Sequence, residues 1–185
     1  MKTPTNGHGK LIDILGPSPN QPEKTMDDSH NGIMAQRNLS ESVILLVEDN
    51  RGDVVLLKRA FSMAGLQHDF LVARNGQEAI EYLSESASTA RVPAPTHVLL
   101  DLNVPPSNGL EVLAWIRAHS KCANLPVIIL SGSDLERDIS QAKQFGIDAC
   151  LPKGIELADT KAAVARIAQI WNLPPMTPHQ ELASQ

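Results

Sequence analysis

Between Val43 and Trp171, short unbroken apolar runs alternate with longer stretches in which apolar residues recur at helical spacing. Val43, Ile44, Leu45, Leu46 and Val47 form the first run, bounded by charge on its C-terminal side, and they predict a strand buried on both faces. A helical period follows through Val54, Leu57, Ala60, Phe61 and Ala64. Asn50 can cap this helix with its side-chain oxygen, and Asp53 falls in its first turn, where unpaired N–H groups favour a carboxylate.

The alternation then repeats. Phe70, Leu71, Val72 and Ala73 precede a helix through Ala79, Ile80 and Leu83, and the run from His97 to Asp101 precedes one through Leu110, Leu113, Ala114 and Ile116. Val127, Ile128, Ile129 and Leu130 lead into a helix from about Asp134 to Phe145. Ala149, Cys150 and Leu151 lead into one with Leu157, Val164, Ile167, Ala168 and Trp171 on a single stripe. Five strand–helix units need right-handed crossovers and a parallel sheet covered on both faces. The expected fold is therefore α/β, a flavodoxin-like doubly wound (βα)5 sheet with strand order 2-1-3-4-5. Residues 84–96, which include Pro93 and Pro95, predict a long exposed loop after the second helix.

Composition divides the chain into an arm over 1–40, a folded domain over 41–171 and a Pro-containing tail over 172–185. The arm is rich in Pro, Gly, Asn, Ser and charge, and is expected to be disordered; Leu11, Ile12, Ile14 and Leu15 are its one apolar cluster. Prolines at 174, 175 and 178 are expected to stop the last helix. The short remainder predicts no helix-turn-helix or catalytic output segment, which leaves output to the surface of the domain itself.

An aromatic content of 3% places the core on Leu, Ile, Val and Ala, which suits a parallel sheet better than a β-sandwich. A net charge of −5 without a Lys/Arg cluster argues against a nucleic-acid surface. No signal-peptide core or membrane-length apolar run is present, so the expectation is a soluble cytoplasmic protein. Cys122 and Cys150 lack zinc-ligand spacing and read as reduced thiols, and the six histidines form no spaced metal or catalytic pair.

In an open parallel sheet, reactive groups gather beyond the carboxyl ends of the strands. Glu48 and Asp49 follow the first run, Asp101 ends the third, Ser131 ends the fourth and Lys153 follows the fifth. Grouped carboxylates repel one another unless a cation sits among them, and an all-oxygen site with few protein ligands suits Mg²⁺. Asp49 and Asp101 would ligate through carboxylates, Asn103 through its backbone carbonyl, and Glu48 through a water or as a weaker direct ligand. A carboxylate can accept a phosphoryl group as an acyl phosphate, with Lys153, the Ser131 hydroxyl and the metal stabilising the transferring oxygens. Each element alone is ordinary, since acids after strands commonly serve as turn formers or caps; the ordered combination carries the reading.

That combination resembles the response regulator receiver family of two-component systems. The matching segments are VEDN at 47–50, DLNVP at 101–105 with Asn108 and Gly109, LSGS at 130–133, and Lys153, spanning residues 43–171. The resemblance implies phosphoryl transfer from a histidine kinase to Asp101, followed by rearrangement around Ser131 and the fourth and fifth units. It implies no enzyme activity beyond self-phosphorylation and autodephosphorylation. The chain is also similar to regulators paired with phytochrome-type histidine kinases, which implies a homodimer using the last helix.

Three positions depart from the family pattern. Glu48 replaces a frequent Asp, Cys150 replaces an aromatic switch residue, and Gly154 replaces the proline that usually follows the lysine. These departures keep open a degenerate receiver acting as a phosphorylation-independent binding module. A flavodoxin-type redox protein is disfavoured because Glu48 and Asp49 would repel a flavin phosphate. A phosphohydrolase is disfavoured because Asn103 stands where a second acid would be expected.

Overall fold

A computed structural model describes residues 43–66, 68–89, 91–106, 108–132 and 136–173. Five strands, β1 (Val43–Val47), β2 (Asp69–Ala73), β3 (His97–Asp101), β4 (Val127–Ser131) and β5 (Ala149–Pro152), alternate with five helices. The helices are α1 (Arg51–Met63), α2 (Gly76–Ser88), α3 (Gly109–Ala118), α4 (Glu136–Phe145) and α5 (Leu157–Trp171). All strand pairs are parallel and the order is β2-β1-β3-β4-β5, as the alternation predicts. The expectations for the arm of 1–40, and for the tail beyond Leu173, lie outside the described residues.

The central strands explain the unbroken apolar runs. Ile44 through Val47, Val98 through Leu100 and Val127 through Leu130 are buried because helices cover both faces of the sheet. Ile44, Leu46, Leu99, Ile128 and Leu130 point toward α1 and α5, where they meet Leu57, Phe61, Val164 and Ile167. By the two-residue period of the pleat, Leu45, Leu100 and Ile129 face the side of α2, α3 and α4. Edge strands β2 and β5 are only partly buried, in keeping with their shorter apolar runs. Leu173, just beyond α5, is 8% exposed and joins the same core, so packing continues past the helix end. No helix among the described residues is long and apolar enough to cross a membrane.

Local chemistry starts the helices where the strands leave the sheet. Asn50, Asn75 and Asn108 cap α1, α2 and α3 by accepting hydrogen bonds from first-turn N–H groups. Arg117, in the last turn of α3, donates to the carbonyls of Ala123, Leu125, Phe145 and Gly146. One guanidinium thus ties the loop before β4 to the loop before β5. Helix α4 is polar by comparison, with Ala142 its one buried residue.

The loop expected over 84–96 is corrected by the structure: α2 continues through Ser88, and the connection is confined to the residues after it. Its last turn consists of small and polar residues, so the apolar period stops at Leu83 while backbone bonding continues, with Thr89 N–H donating to Glu85 at 2.8 Å. Apolar periodicity reports burial rather than helicity. Nor is the connection wholly exposed, because Val92 and Pro95 are buried and the Tyr82 hydroxyl donates to the Pro93 carbonyl at 2.6 Å.

Burial, reinforced by the nearby Glu85 charge, pushes the Tyr82 phenol up to about 12 from 10.0. The unfolded phenol ionises first, so this group's contribution to stability falls as pH rises from about 10 to about 12. Tyr82→Phe is expected to cost about 1 kcal/mol near neutral pH and to remove that alkaline dependence. Urea unfolding of both proteins at a series of pH values checks it.

Candidate functional site

Parallel pairing brings the carboxyl ends of β1, β3, β4 and β5 to one edge of the sheet. Glu48 follows β1, and its N–H donates to Ala73 at 2.8 Å, extending the ladder toward β2. Asp101 ends β3 and Ser131 ends β4; they are 4% and 7% exposed. Glu48 is equally buried at 3%, whereas Asp49 beside it is exposed. The two acids that are adjacent in sequence therefore differ in environment, because Glu48 continues the line of the strand and Asp49 turns out of it.

Lys153 closes the group from β5. Its N–H donates to the Ser131 carbonyl at 2.9 Å, which continues the β4–β5 pairing and directs the side chain across the strand ends. The ammonium Nζ lies 2.6 Å from Asp101 Oδ2, 2.8 Å from Glu48 Oε2 and 2.8 Å from Asp53 Oδ2. The other Asp101 oxygen, Oδ1, accepts the Asn103 N–H at 2.9 Å, so both ends of this carboxylate are fixed. The Asp53 contact is the feature that sequence reasoning missed: the residue reads as a helix-start acid, while its partner lies a hundred positions away.

Two glycines set the shape of the loops. A Cβ on Gly109 would stand 2.4 Å from the Asp101 carbonyl oxygen and 2.8 Å from the Leu102 Cα. The start of α3 therefore lies directly on the backbone of the β3 end, where the Gly109 N–H donates to the Leu102 carbonyl at 3.0 Å. A Cβ on Gly154 would meet the Thr160 nitrogen at 2.4 Å and Thr160 Oγ1 at 2.6 Å. This departure from the family's usual proline lets the chain after Lys153 pass close against α5, and Lys153 is held by three carboxylates.

Carboxylate oxygens of Glu48, Asp49 and Asp101 lie within 4.8 Å of one another. Three acids at that spacing form an all-oxygen donor set, suited to a hard divalent cation that keeps several waters. The fit is supported electrostatically. Burial pushes the Glu48 carboxyl above its ordinary 4.5 and the nearby Asp101 charge adds to this, while Lys153 and the Asn50 N–H oppose it. Lys153 is shifted upward: burial disfavours its charge, but its bonds to Asp101, Asp53 and Glu48 outweigh that. One ammonium among four acids leaves the site negative, and a further cation would balance it.

Lys153 thus contacts Glu48 and Asp101 across the strand ends, Ser131 closes the neighbouring β4, and Asp49 stands at the exposed margin. Asn103 is exposed and touches Asp101 through its backbone N–H. Cys150 lies half-buried in β5 opposite Ile129, so no ring occupies that position beside the Ser131 strand.

Comparison with known proteins gives a concordant picture. Residues 44–165 match the response regulator receiver domain. Response regulator Rcp1 of Synechocystis sp. is 30% identical over 138 residues, covering 75% of this chain and 94% of that protein. The crystal structure of the phosphorylated cyanobacterial phytochrome response regulator RcpA superposes with a TM-score of 0.66 at 32% identity, covering 75% of this chain and 99% of that one. The Mn²⁺-bound form of response regulator Rcp1 gives a TM-score of 0.65 at 32% identity, covering 74% and 97%.

Two outcomes are expected from the site geometry. Gly109→Ala should destabilise the protein by about 1–3 kcal/mol, as overpacking against fixed backbone does, read from urea midpoints. In metal-free protein, Lys153→Ala should raise the Glu48 carboxyl further, because the cation that opposes its protonation is gone. Carbon-13 NMR of the side-chain carboxyls measures this. The sign follows from linkage: for an acid raised by folding, stability is lost as pH climbs from 4.5 through the folded value.

Proposed function

The chain belongs to the response regulator receiver domain family, and from that membership we propose that it is a phosphorylation-controlled switch whose acceptor is Asp101. The observation that carries this reading is the buried Asp101 carboxylate, fixed between Lys153 Nζ at 2.6 Å and the Asn103 N–H at 2.9 Å beside the acidic cluster. A structural ion pair needs one carboxylate, whereas here one lysine meets three, beside a cluster that also includes Asp49.

The donor is the phosphohistidine of a histidine kinase. An Asp101 carboxylate oxygen attacks phosphorus as the phosphorus–nitrogen bond breaks. The bond pair returns to the imidazole, which takes up a proton, and the product is an aspartyl phosphate. Glu48, Asp49, Asp101 and the Asn103 carbonyl would hold Mg²⁺, which when bound supplies positive charge to the non-bridging phosphoryl oxygens. Lys153 supplies a second positive charge, and the Ser131 hydroxyl is a hydrogen-bond donor for the same oxygens. Hydrolysis returns Asp101 to a carboxylate and releases inorganic phosphate. No metabolic substrate is turned over.

The partner kinase is of the phytochrome type, a reading supported by the likeness to the cyanobacterial phytochrome response regulator RcpA. Output passes through contacts of the receiver surface, with a homodimer as one assembly. Cys150 at the usual ring position means that motion of Ser131 reaches that surface without an aromatic rotation.

Intact-mass spectrometry after incubation with acetyl phosphate tests the reading. The expected result is one acid-labile phosphoryl group, dependent on Mg²⁺, in wild type and absent in Asp101→Asn. Uptake that persists in Asp101→Asn would sink the acceptor assignment. Absence of uptake from both acetyl phosphate and a kinase donor would replace it with a phosphorylation-independent binding module.

A further inference from the structure

An ammonium has three donor hydrogens, and at Lys153 three carboxylates stand ready to take them. These acceptors are not equivalent. The side chains of Glu48 and Asp101 are 4% and 5% exposed, whereas that of Asp53 is 32% exposed. A phosphoryl group on Asp101 would place additional negative oxygens beside an ammonium that is already fully engaged. The hydrogen now given to Asp101 passes to one phosphoryl oxygen; to reach a second, Lys153 has to leave another carboxylate as well.

The cost of leaving differs among the three. Glu48, deprived of the lysine, would be a buried charge without its cation. Asp101 is itself the atom group being modified. Asp53 lies at the margin and can return to water, where a partly exposed ion pair is worth little.

We propose that Asp53 is the partner that Lys153 gives up when Asp101 is phosphorylated, so that Asp53 acts as a positioning residue that restrains the lysine in the unphosphorylated state. The inference rests on the reading of Asp101 as acceptor and adds a competitor to it. It also gives the switch a second arm. Asp53 belongs to the first turn of α1, while Lys153 leads through Gly154 onto α5, so their 2.8 Å contact bridges the two helices that share one face of the sheet. The bridge stands at the edge of a small cavity lined by Leu46, Leu57, Leu130 and Ala163. Release of Asp53 therefore loosens the α1 start from the chain after β5 without disturbing the core below.

Asp53→Asn is the informative variant, because the α1 cap uses the Asp53 backbone N–H and the Asn50 side chain, and both remain. The rate of phosphoryl uptake from acetyl phosphate at saturating Mg²⁺, followed by intact mass, is expected to rise roughly two- to fivefold, the range a partly exposed ion pair is worth. Asp53→Glu, which restores the charge, is expected to return uptake toward wild type. Loss of helix stability alone would shift the urea midpoint without accelerating uptake. An unchanged or slower rate in Asp53→Asn, with wild type and Asp53→Glu taking up phosphoryl normally, overturns the inference and leaves the acceptor reading standing. Absence of uptake in wild type removes both.

Discussion

Everything distinctive about this molecule depends on one lysine ammonium held among carboxylates at the carboxyl edge of a parallel sheet. Glu48 and Asp101 are buried acids, and burying a carboxylate is costly unless a cation is paired with it. Lys153 supplies it at 2.8 Å and 2.6 Å, and its own charge is retained against burial because the acids surround it. The arrangement is mutually dependent. Removal of the lysine leaves two buried carboxylates without their cation.

The rest of the fold serves to hold that group in register. Central strands covered on both faces give rigid supports, and the parallel direction puts all their carboxyl ends on the same side. Asparagine caps turn the chain sharply into α1 and α3, and Gly109 allows α3 to rest on the Asp101 backbone itself. Asp101 is thereby fixed by its own strand, by the Asn103 N–H and by the helix that follows. Such rigidity suits phosphoryl transfer, in which positioning and charge supply most of the catalysis.

Less of the structure is committed on the side of α4. That helix buries little besides Ala142, and its C-terminal end is held largely through Arg117, whose guanidinium reaches the Phe145 and Gly146 carbonyls. Low burial makes local rearrangement inexpensive in free energy. The contrast is with the tightly packed β1, β3 and β4 ends, where the proposed acceptor site lies.

Sequence by itself determined the five strand–helix units, the sheet order they imply and the acids and lysine at the strand ends, because each is written in local pattern: apolar runs, helical period and the residue that closes each run. Residues 84–88 escaped that logic, since an exposed helical turn of small and polar side chains has no apolar signature. Only the tertiary structure decided that Glu48 is buried while Asp49 is exposed, that Gly154 passes against Thr160, and that Asp53 belongs to the lysine. Those facts depend on distances between segments far apart in the chain. Spacing along one segment cannot encode a contact whose other half is set by the packing of α1 and α5 on the same sheet face.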